Sequence, residues 1–168
     1  MLSKKLQKAL NEQIQAELHS SYLYFSMSSW FKAQNLDGFA SWMTFQAQEE
    51  MSHSMKLYGY IHDRGGDVEL LEIPAPQKSW KSPLAAFQDA YKHEQYITGR
   101  INDLCSLADK DNDNATRVML NWFVTEQVEE EATAQDVVEK LKMVQGHPGG
   151  IYMMDKEMAG RTASPAAE

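Results

Sequence analysis

Apolar side chains recur at alternating steps of four and three residues along four long stretches of this chain. That spacing places them on one face of an α-helix, as in helices that pack a buried seam against their neighbours. A shorter apolar stretch follows near the carboxyl end. The pattern predicts five helices, at approximately residues 3–33, 37–64, 83–108, 115–144 and 151–159.

The connections between these stretches indicate how the helices lie. Residues 35–38 and 109–114 are short polar turns, and each should join two helices into an antiparallel hairpin. Residues 67–82 contain Pro74 and Pro76 and show no helical period. Sixteen extended residues can cover about 50 Å, whereas the second helix spans roughly 42 Å. Helices two and three should therefore be parallel, which predicts an all-α four-helix bundle with a long crossover and a short fifth helix.

Length, composition and charge limit the number of domains, the location and the partners that this chain can have. A length of 168 residues with 43% hydrophobic residues suits one domain, expected over residues 1–160, with a flexible tail at 161–168. No apolar run is long enough for a membrane span and the amino terminus lacks a secretory signal, so we expect no membrane partner and a cytoplasmic location. The single cysteine, Cys105, rules out a disulfide framework. A net charge of -8 argues against nucleic acid as a partner and favours cations.

Polar side chains interrupt each long apolar seam near its middle, where a buried helix should be most apolar. In chain order they are Glu17, Glu50, His53, Glu94, Gln127 and Glu130. Glu50 and His53 stand three residues apart, which puts both on one helix face. A buried carboxylate without a partner is costly, and a metal ion suits a carboxylate and an imidazole together. By itself this pair also fits a salt bridge or an exposed face.

The second hairpin repeats the first with a shift of 77 residues. Glu17 precedes Glu50 by 33 residues, and Glu94 precedes Gln127 by the same number. All the polar groups should thus lie at one depth of the bundle. The four glutamates on the seams balance the charge of two divalent ions, and His53 adds a nitrogen ligand. Carboxylate oxygens with an imidazole suit Fe(II) or Mn(II) and would also bind zinc.

This arrangement, one glutamate from each of two helices and a pair from each of the others, resembles the ferritin family. Within that family the sequence is similar to the bacterial non-haem ferritins over nearly its whole length. The segments that carry the resemblance are N-E-Q-I-Q-A-E-L, Y-L-Y, Q-A-Q-E-E-M-S-H, Y-K-H-E-Q and N-W-F-V-T-E-Q-V-E-E-E. The fold implied is a ferritin-like four-helix bundle. The activity implied is a ferroxidase that oxidises Fe(II) with O2 or peroxide and stores Fe(III) as a hydrous oxide mineral.

The resemblance also implies which residues hold iron. Glu17, Glu50 and His53 would bind the first ion of a di-iron ferroxidase centre. Glu50, Glu94 and Glu130 would bind the second.

Two more polar side chains are expected at this centre. The resemblance places Gln127 close to the second ion. Tyr24 lies two turns from Glu17 on the same seam, so we expect it to hydrogen-bond a ligand carboxylate and to donate an electron during oxidation. A buried aromatic ring with a satisfied hydroxyl is a compatible structural explanation of Tyr24.

A third iron site is implied as well, formed by Glu49, Glu126, Glu129 and Glu130. Ordinary exposed helix charge is the alternative for the first three. Their grouping at spacings of three and four residues favours the metal site.

Haem is not expected. Met51 lies where the bacterioferritin branch carries its haem-ligating methionine, but that branch has a second Glu-x-x-His on the fourth helix where this chain has Gln127 and Glu130. Met51 is therefore interpreted as a packing residue.

Mineral storage needs a cavity that one bundle cannot supply, and the resemblance implies a homo-oligomeric shell of 24 subunits. In the predicted fifth helix, Ile151, Met154 and Met158 share one apolar side, which we expect a neighbouring subunit to cover.

Three other classes of protein remain open at this stage. A rubrerythrin-like enzyme is disfavoured because a single cysteine cannot build its rubredoxin-like module. A DNA-protecting mini-ferritin lacks the fifth helix. A purely structural bundle is disfavoured by the polar seams.

Overall fold

A computed structural model describes residues 2–161 of the chain. Its helices are α1 (Lys4–Ala33), α2 (Asp37–Asp63), α3 (Pro83–Lys110), α4 (Asn114–Met143) and α5 (Pro148–Met158). The helices α1 and α2 form one hairpin, α3 and α4 form the other, and α5 packs on α2. The prediction of an all-α bundle with a crossover between its second and third helices and a short final helix is confirmed. Within residues 2–161, no helix combines the length and the apolar character that crossing a bilayer requires.

The helix starts have side-chain caps that the sequence supplies. The Ser3 hydroxyl accepts a hydrogen bond from the backbone N–H of Leu6 at 3.1 Å, and α1 begins directly after Ser3, at Lys4. Ser82 caps α3 in the same way, and Pro83 occupies the first helical position, where a missing N–H has no cost. Asp113 caps α4. These contacts start three of the four long helices at defined residues.

The two hairpin turns are copies of each other. Asn35 has φ 59° and Asn112 has φ 53°, a left-handed conformation that asparagine tolerates better than most side chains. In each turn the next residue donates its N–H back into the helix, from Leu36 to the Phe31 carbonyl at 3.1 Å and from Asp113 to the Ala108 carbonyl at 2.9 Å. The shift of 77 residues thus holds for the turns, so both hairpins place their polar groups at the same depth.

The crossover runs along α1 and is held there by side chains of that helix. Asn11 donates through Nδ2 to the carbonyl of Asp67 at 3.1 Å. Farther along, the Ser26 hydroxyl donates to the carbonyl of Gln77 at 2.5 Å. The contacts advance along both segments together, so the crossover returns along the length of the bundle and α3 starts beside the start of α2.

The fifth helix begins earlier than predicted, at Pro148 instead of residue 151. Proline fits the first position of a helix, so the Pro-Gly-Gly sequence opens α5 and does not delay it. The helix docks on the start of α2, where Asp155 Oδ1 accepts hydrogen bonds from the N–H groups of Gly38 at 2.8 Å and Phe39 at 3.1 Å. This carboxylate caps α2 from another part of the chain.

Two expectations about apolar side chains are wrong. Met154 and Met158 do not need a neighbouring subunit to cover them, because both are buried against the chain's own core. The exposed apolar residues of α5 are instead Tyr152 and Met153. Met51, interpreted as a packing residue, has 44% of its surface exposed in the single chain.

The apolar core has two parts with a polar layer between them. One cluster, which includes Phe31, Phe39 and Phe87, fills the end of the bundle near the α1–α2 turn. The other, which includes Leu10 and Leu57, fills the opposite end. The polar side chains singled out on the seams fall between these clusters.

Candidate metal centre

Six polar side chains from four helices form the buried middle layer. They are Glu17, Glu50, His53, Glu94, Gln127 and Glu130, and none has more than 7% of its surface exposed. Four buried carboxyl groups would be very unfavourable as four negative charges, because His53 is the one basic side chain among these six residues. The layer therefore needs protons or bound cations.

The carboxylates and the imidazole are close enough to share metal ions. Three groups have one ligand atom per residue, all within 4.8 Å of one another: Glu17, Glu50 and His53; Glu50, Glu94 and Glu130; and His53, Glu126 and Glu130. Glu50 belongs to the first two groups, and Glu130 belongs to the last two. Side chains shared in this way would place adjacent ions side by side.

Two buried ligand atoms in the first group have no hydrogen-bond partner within the described residues. They are Glu17 Oε2 and His53 Nδ1. His53 Nδ1 lies 3.5 Å from Glu50 Oε2, but the geometry is not that of a hydrogen bond. Unsatisfied buried polar atoms are rare and costly in native proteins. A divalent cation among these three residues would satisfy both atoms at once.

Burial makes the carboxyl groups of this layer hard to ionise without a cation. Burial, with the charge of Glu50, raises the pKa of Glu17 to about 8. Burial and the charge of Glu94 hold the pKa of Glu50 and of Glu130 well above the usual range. The pKa of Glu94 is also raised by burial, although hydrogen bonds from Tyr24 and Gln127 oppose the shift. Cation binding should therefore release protons.

Without metal, we expect the chain to lose stability as the pH rises from 6.5 to 8. In this window Glu17 has already lost its proton in the unfolded chain. In the folded chain the pKa of Glu17 is about 8, so most of the carboxyl groups still hold the proton. For Glu17 alone the loss in unfolding free energy is about 2 kcal/mol. His93 changes the stability in the opposite direction, because burial lowers its pKa to about 4. That change occurs below pH 6.5 and so lies outside this window.

Urea unfolding of metal-free protein at the two ends of this window measures the effect. The Glu17→Gln variant is the control and should show a shallower loss. Zn(II)-loaded protein should instead gain stability with pH, because the ligands must lose protons. A metal-free profile with the same slope in both proteins would contradict the assignment to Glu17.

Glutamine amides support the carboxylates from each side. The donors and acceptors are Gln13 Nε2 to Glu17 Oε1 at 2.8 Å, Gln46 Nε2 to Glu130 Oε2 at 2.6 Å, and Gln127 Nε2 to Glu94 Oε2 at 3.2 Å. Gln46 also donates to Glu50 at 3.2 Å. Sequence reasoning did not assign roles to Gln13 and Gln46, although each precedes a seam glutamate by four residues, which places amide and carboxylate on one helix face.

Tyr24 connects the layer to a second buried group. Its hydroxyl donates a hydrogen bond to Glu94. The edge of its ring meets His93, with the ring centroids 6.2 Å apart, and His93 Nε2 lies 2.7 Å from the Ser20 hydroxyl. His93 thus lies behind Tyr24, outside the groups of candidate metal ligands. Burial lowers its pKa to about 4, so it is neutral at pH 7.

The structure brings together only part of the predicted third site. Glu126 joins His53 and Glu130, whereas Glu49 and Glu129 join none of the three groups among the described residues. Glu49 is instead paired with Arg161, where the predicted tail begins. The rest of that tail, residues 162–168, lies outside the described residues.

Four long helices that bury a shared layer of carboxylates and one imidazole define a di-metal carboxylate bundle. The comparisons with known proteins make the class specific. Residues 7–144 match the family model of the ferritin-like domain. The chain belongs to the ferritin family.

Relatives in that family match the chain along nearly its whole length. A bacterial non-heme ferritin of Bacteroides fragilis (strain 638R) is 42% identical over 161 residues, which cover 96% of this chain and 100% of the relative. A bacterial non-heme ferritin of Campylobacter jejuni is 41% identical over 156 residues, with 93% of each chain covered.

Solved structures agree with the sequence relatives. An open pore ferritin from the hyperthermophilic archaeon Archaeoglobus fulgidus superposes with a TM-score of 0.96 at 45% identity, covering 96% of this chain and 100% of that one. A structure described as a humanized archaeal ferritin gives a TM-score of 0.97 at 45% identity, with 98% and 100% covered.

Proposed function

We propose that this chain is an iron-storage ferritin whose buried layer is a di-iron ferroxidase centre. It would bind Fe(II), oxidise it with O2 or peroxide and pass it on as a hydrous ferric oxide mineral. The observation that carries this is the pair of orphaned atoms, Glu17 Oε2 and His53 Nδ1, in one buried group. A purely structural bundle gives no reason to bury two unsatisfied ligand atoms side by side.

The ligand groups suggest a role for each residue. Glu17, Glu50 and His53 would hold one Fe(II) ion, with a nitrogen donor from the imidazole. Glu50 would be shared with the second ion, which Glu94 and Glu130 would complete. The group distances support this division, because each set of three offers atoms within 4.8 Å of one another.

The surrounding polar groups would serve the same ions. Gln127 donates to Glu94, and its amide would fix the orientation of that ligand. Tyr24 donates to the other oxygen of Glu94, close enough to supply an electron to the centre during oxidation. Burial, together with the charges of Glu94 and Glu50, raises the pKa of its phenol and keeps it protonated.

The chemistry needs two ions held together. Each Fe(II) gives up one electron, and a single O2 takes both electrons with two protons to become hydrogen peroxide. Iron binding displaces protons from carboxyl groups whose pKa is raised, so the centre has protons at hand. The ion pair is thus oxidised in one two-electron step.

A third iron site would lie next to the first two. Glu126, near His53 and Glu130, supports it, since these three form the last of the three groups. Glu49 and Glu129 would complete it. Burial raises the pKa of Glu126, and the charges of Glu129 and Glu49 add to the shift, although His53 opposes it.

Storage calls for a hollow assembly. We infer a homo-oligomeric shell, with 24 subunits as the number implied by the sequence resemblance. The exposed Tyr152 and Met153 on α5 provide apolar surface for a subunit contact. A cytoplasmic location stays a prediction.

Iron loading with size measurement tests the proposal. Native protein should scatter light as one large particle. Aerobic addition of Fe(II) should leave many more iron ions on that particle than the three proposed sites per subunit can hold, because ferric mineral accumulates inside. Loading without an oxidant is the control and should stop near the capacity of the sites. Only monomers or dimers, or equal iron content with and without oxidant, would contradict storage.

A further inference from the structure

Arg161, which follows α5, reaches across to the middle of α2. Its Nη2 lies 2.5 Å from Glu49 Oε2, and its Nη1 donates to Gln46 Oε1 at 2.9 Å. The guanidinium also covers the Trp42 ring, with Cζ 4.3 Å from the ring centroid. The side chains of Arg161 and Glu49 are each only 19% exposed. Three partners on successive turns of one helix face thus hold this guanidinium.

The contact with Gln46 extends to the metal centre. Because Gln46 Oε1 accepts from Arg161, its amide nitrogen must face the opposite way. That nitrogen donates to Glu130 Oε2 at 2.6 Å and to Glu50 Oε1 at 3.2 Å. Glu50 and Glu130 are the two carboxylates shared between ligand groups. Arg161 therefore fixes the direction of an amide that touches both.

The contact with Glu49 keeps that carboxylate away from the proposed third site. Glu49 is near enough for its charge to raise the pKa of Glu126 and of Glu130, yet it does not join their group among the described residues. A guanidinium and a metal ion compete for the same carboxylate oxygens.

We propose that Arg161 is a positioning residue that acts as the resident counter-ion of the third iron site. This inference rests on the proposed function. Without a third Fe(II), Arg161 neutralises Glu49 and fixes Gln46. When a third Fe(II) binds, it displaces Arg161 from Glu49, and the guanidinium leaves the Trp42 ring. The competition weakens the third site relative to the first two, so the di-iron centre fills first.

Anaerobic Fe(II) titration of the assembled protein by calorimetry tests this. The Arg161→Gln variant should bind the third Fe(II) about tenfold more tightly, because a partly buried ion pair no longer has to break. Arg161→Lys keeps the charge and should largely restore the native affinity. Lys156→Gln is the matched control, since it removes an equal charge from α5, where Lys156 lies over Tyr152 and not Glu49. The first two binding events should be unchanged in Lys156→Gln. In the Arg161 variants they should change less than the third event, because Arg161 reaches Glu50 and Glu130 through Gln46.

A spectroscopic arm reports on the displaced guanidinium itself. Zn(II), which does not quench fluorescence by itself, should change tryptophan emission as the third equivalent binds. That change should be missing from Arg161→Gln and from Trp42→Phe. A merely structural role for Arg161 would leave the change at the third equivalent the same in native protein, Arg161→Gln and Trp42→Phe.

The results separate the two proposals. Normal binding of the first two Fe(II) ions with no third event in native protein or in Arg161→Gln would overturn the third site and this inference together. A third event of equal affinity in both proteins would overturn the role of Arg161 alone. Equal tightening by Lys156→Gln would also overturn it, because overall charge would then explain the change. Loss of the first two events in native protein would instead count against the di-iron centre.

Discussion

Replacing Glu130 with alanine should slow fast Fe(II) oxidation by about 100-fold or more, while the bundle stays folded. Glu130 belongs to two of the three ligand groups, so its loss should remove an oxygen ligand from the proposed second ion and from the proposed third site. The free energy of unfolding of metal-free protein should fall far less than this loss of rate. In metal-free protein, burial and the charge of Glu94 hold the pKa of Glu130 well above its usual range, so removing this carboxyl relieves a crowded buried layer.

Stopped-flow oxidation at two Fe(II) per subunit measures the rate, and thermal unfolding of metal-free protein measures the stability. Glu139→Ala is the matched control, because it removes from the same helix an exposed glutamate whose ion pair is with Lys142. Its rate should be unchanged. Native oxidation kinetics in Glu130→Ala would remove this residue from the centre.

Replacing Gly38 with alanine should undock α5 and destabilise the chain by about 3 kcal/mol or more. A Cβ on Gly38 would lie 1.6 Å from the backbone oxygen of Asp155 and 2.6 Å from its carbonyl carbon, and backbone atoms cannot step aside as a flexible side chain can. Moving α5 away also breaks the Asp155 cap on the N–H groups of Gly38 and Phe39.

Gly59→Ala offers the same chemical change on the same helix with the opposite expectation. Among residues 2–161 nothing outside the helix itself lies within 4 Å of a Cβ there, so the better helix propensity of alanine should stabilise the chain by about 0.5–1 kcal/mol. Thermal unfolding compares the two variants, and limited proteolysis of α5 detects undocking directly. A Gly38→Ala protein as stable and as protease-resistant as Gly59→Ala would show that α5 does not dock as described.

Most of the fold could be predicted because local and long-range signals agree. The seams specify which face of each helix is buried, and the two asparagine turns, Asn35 and Asn112, fix the register of both hairpins. With that register, the common depth of Glu17 and Glu94 follows from counting residues. The crossover follows from its length and its prolines. Periodicity, turn chemistry and loop length thus specify the same bundle.

The parts that could not be predicted depend on contacts between distant parts of the chain. The start of α5 was misplaced because Gly149 and Gly150 have low helix propensity, which docking on α2 overrides. The contact of Arg161 with Gln46 joins residues 115 positions apart, and no spacing rule reaches that far. The burial of Met154 and Met158 likewise depends on the direction in which α5 leaves α4.

The division of the chain into two matched hairpins bears on the order in which it folds. Helix contacts are concentrated within α1–α2 and within α3–α4, so each hairpin can form from residues close in sequence, a feature of fast folding. Bringing the hairpins together requires closure of the crossover, and only that step removes Glu17, Glu50, Glu94 and Glu130 from water. The desolvation of the carboxyl groups thus belongs to the barrier for hairpin association. Below about pH 4 most of these groups carry their protons in the open chain, so association should be faster there than at neutral pH.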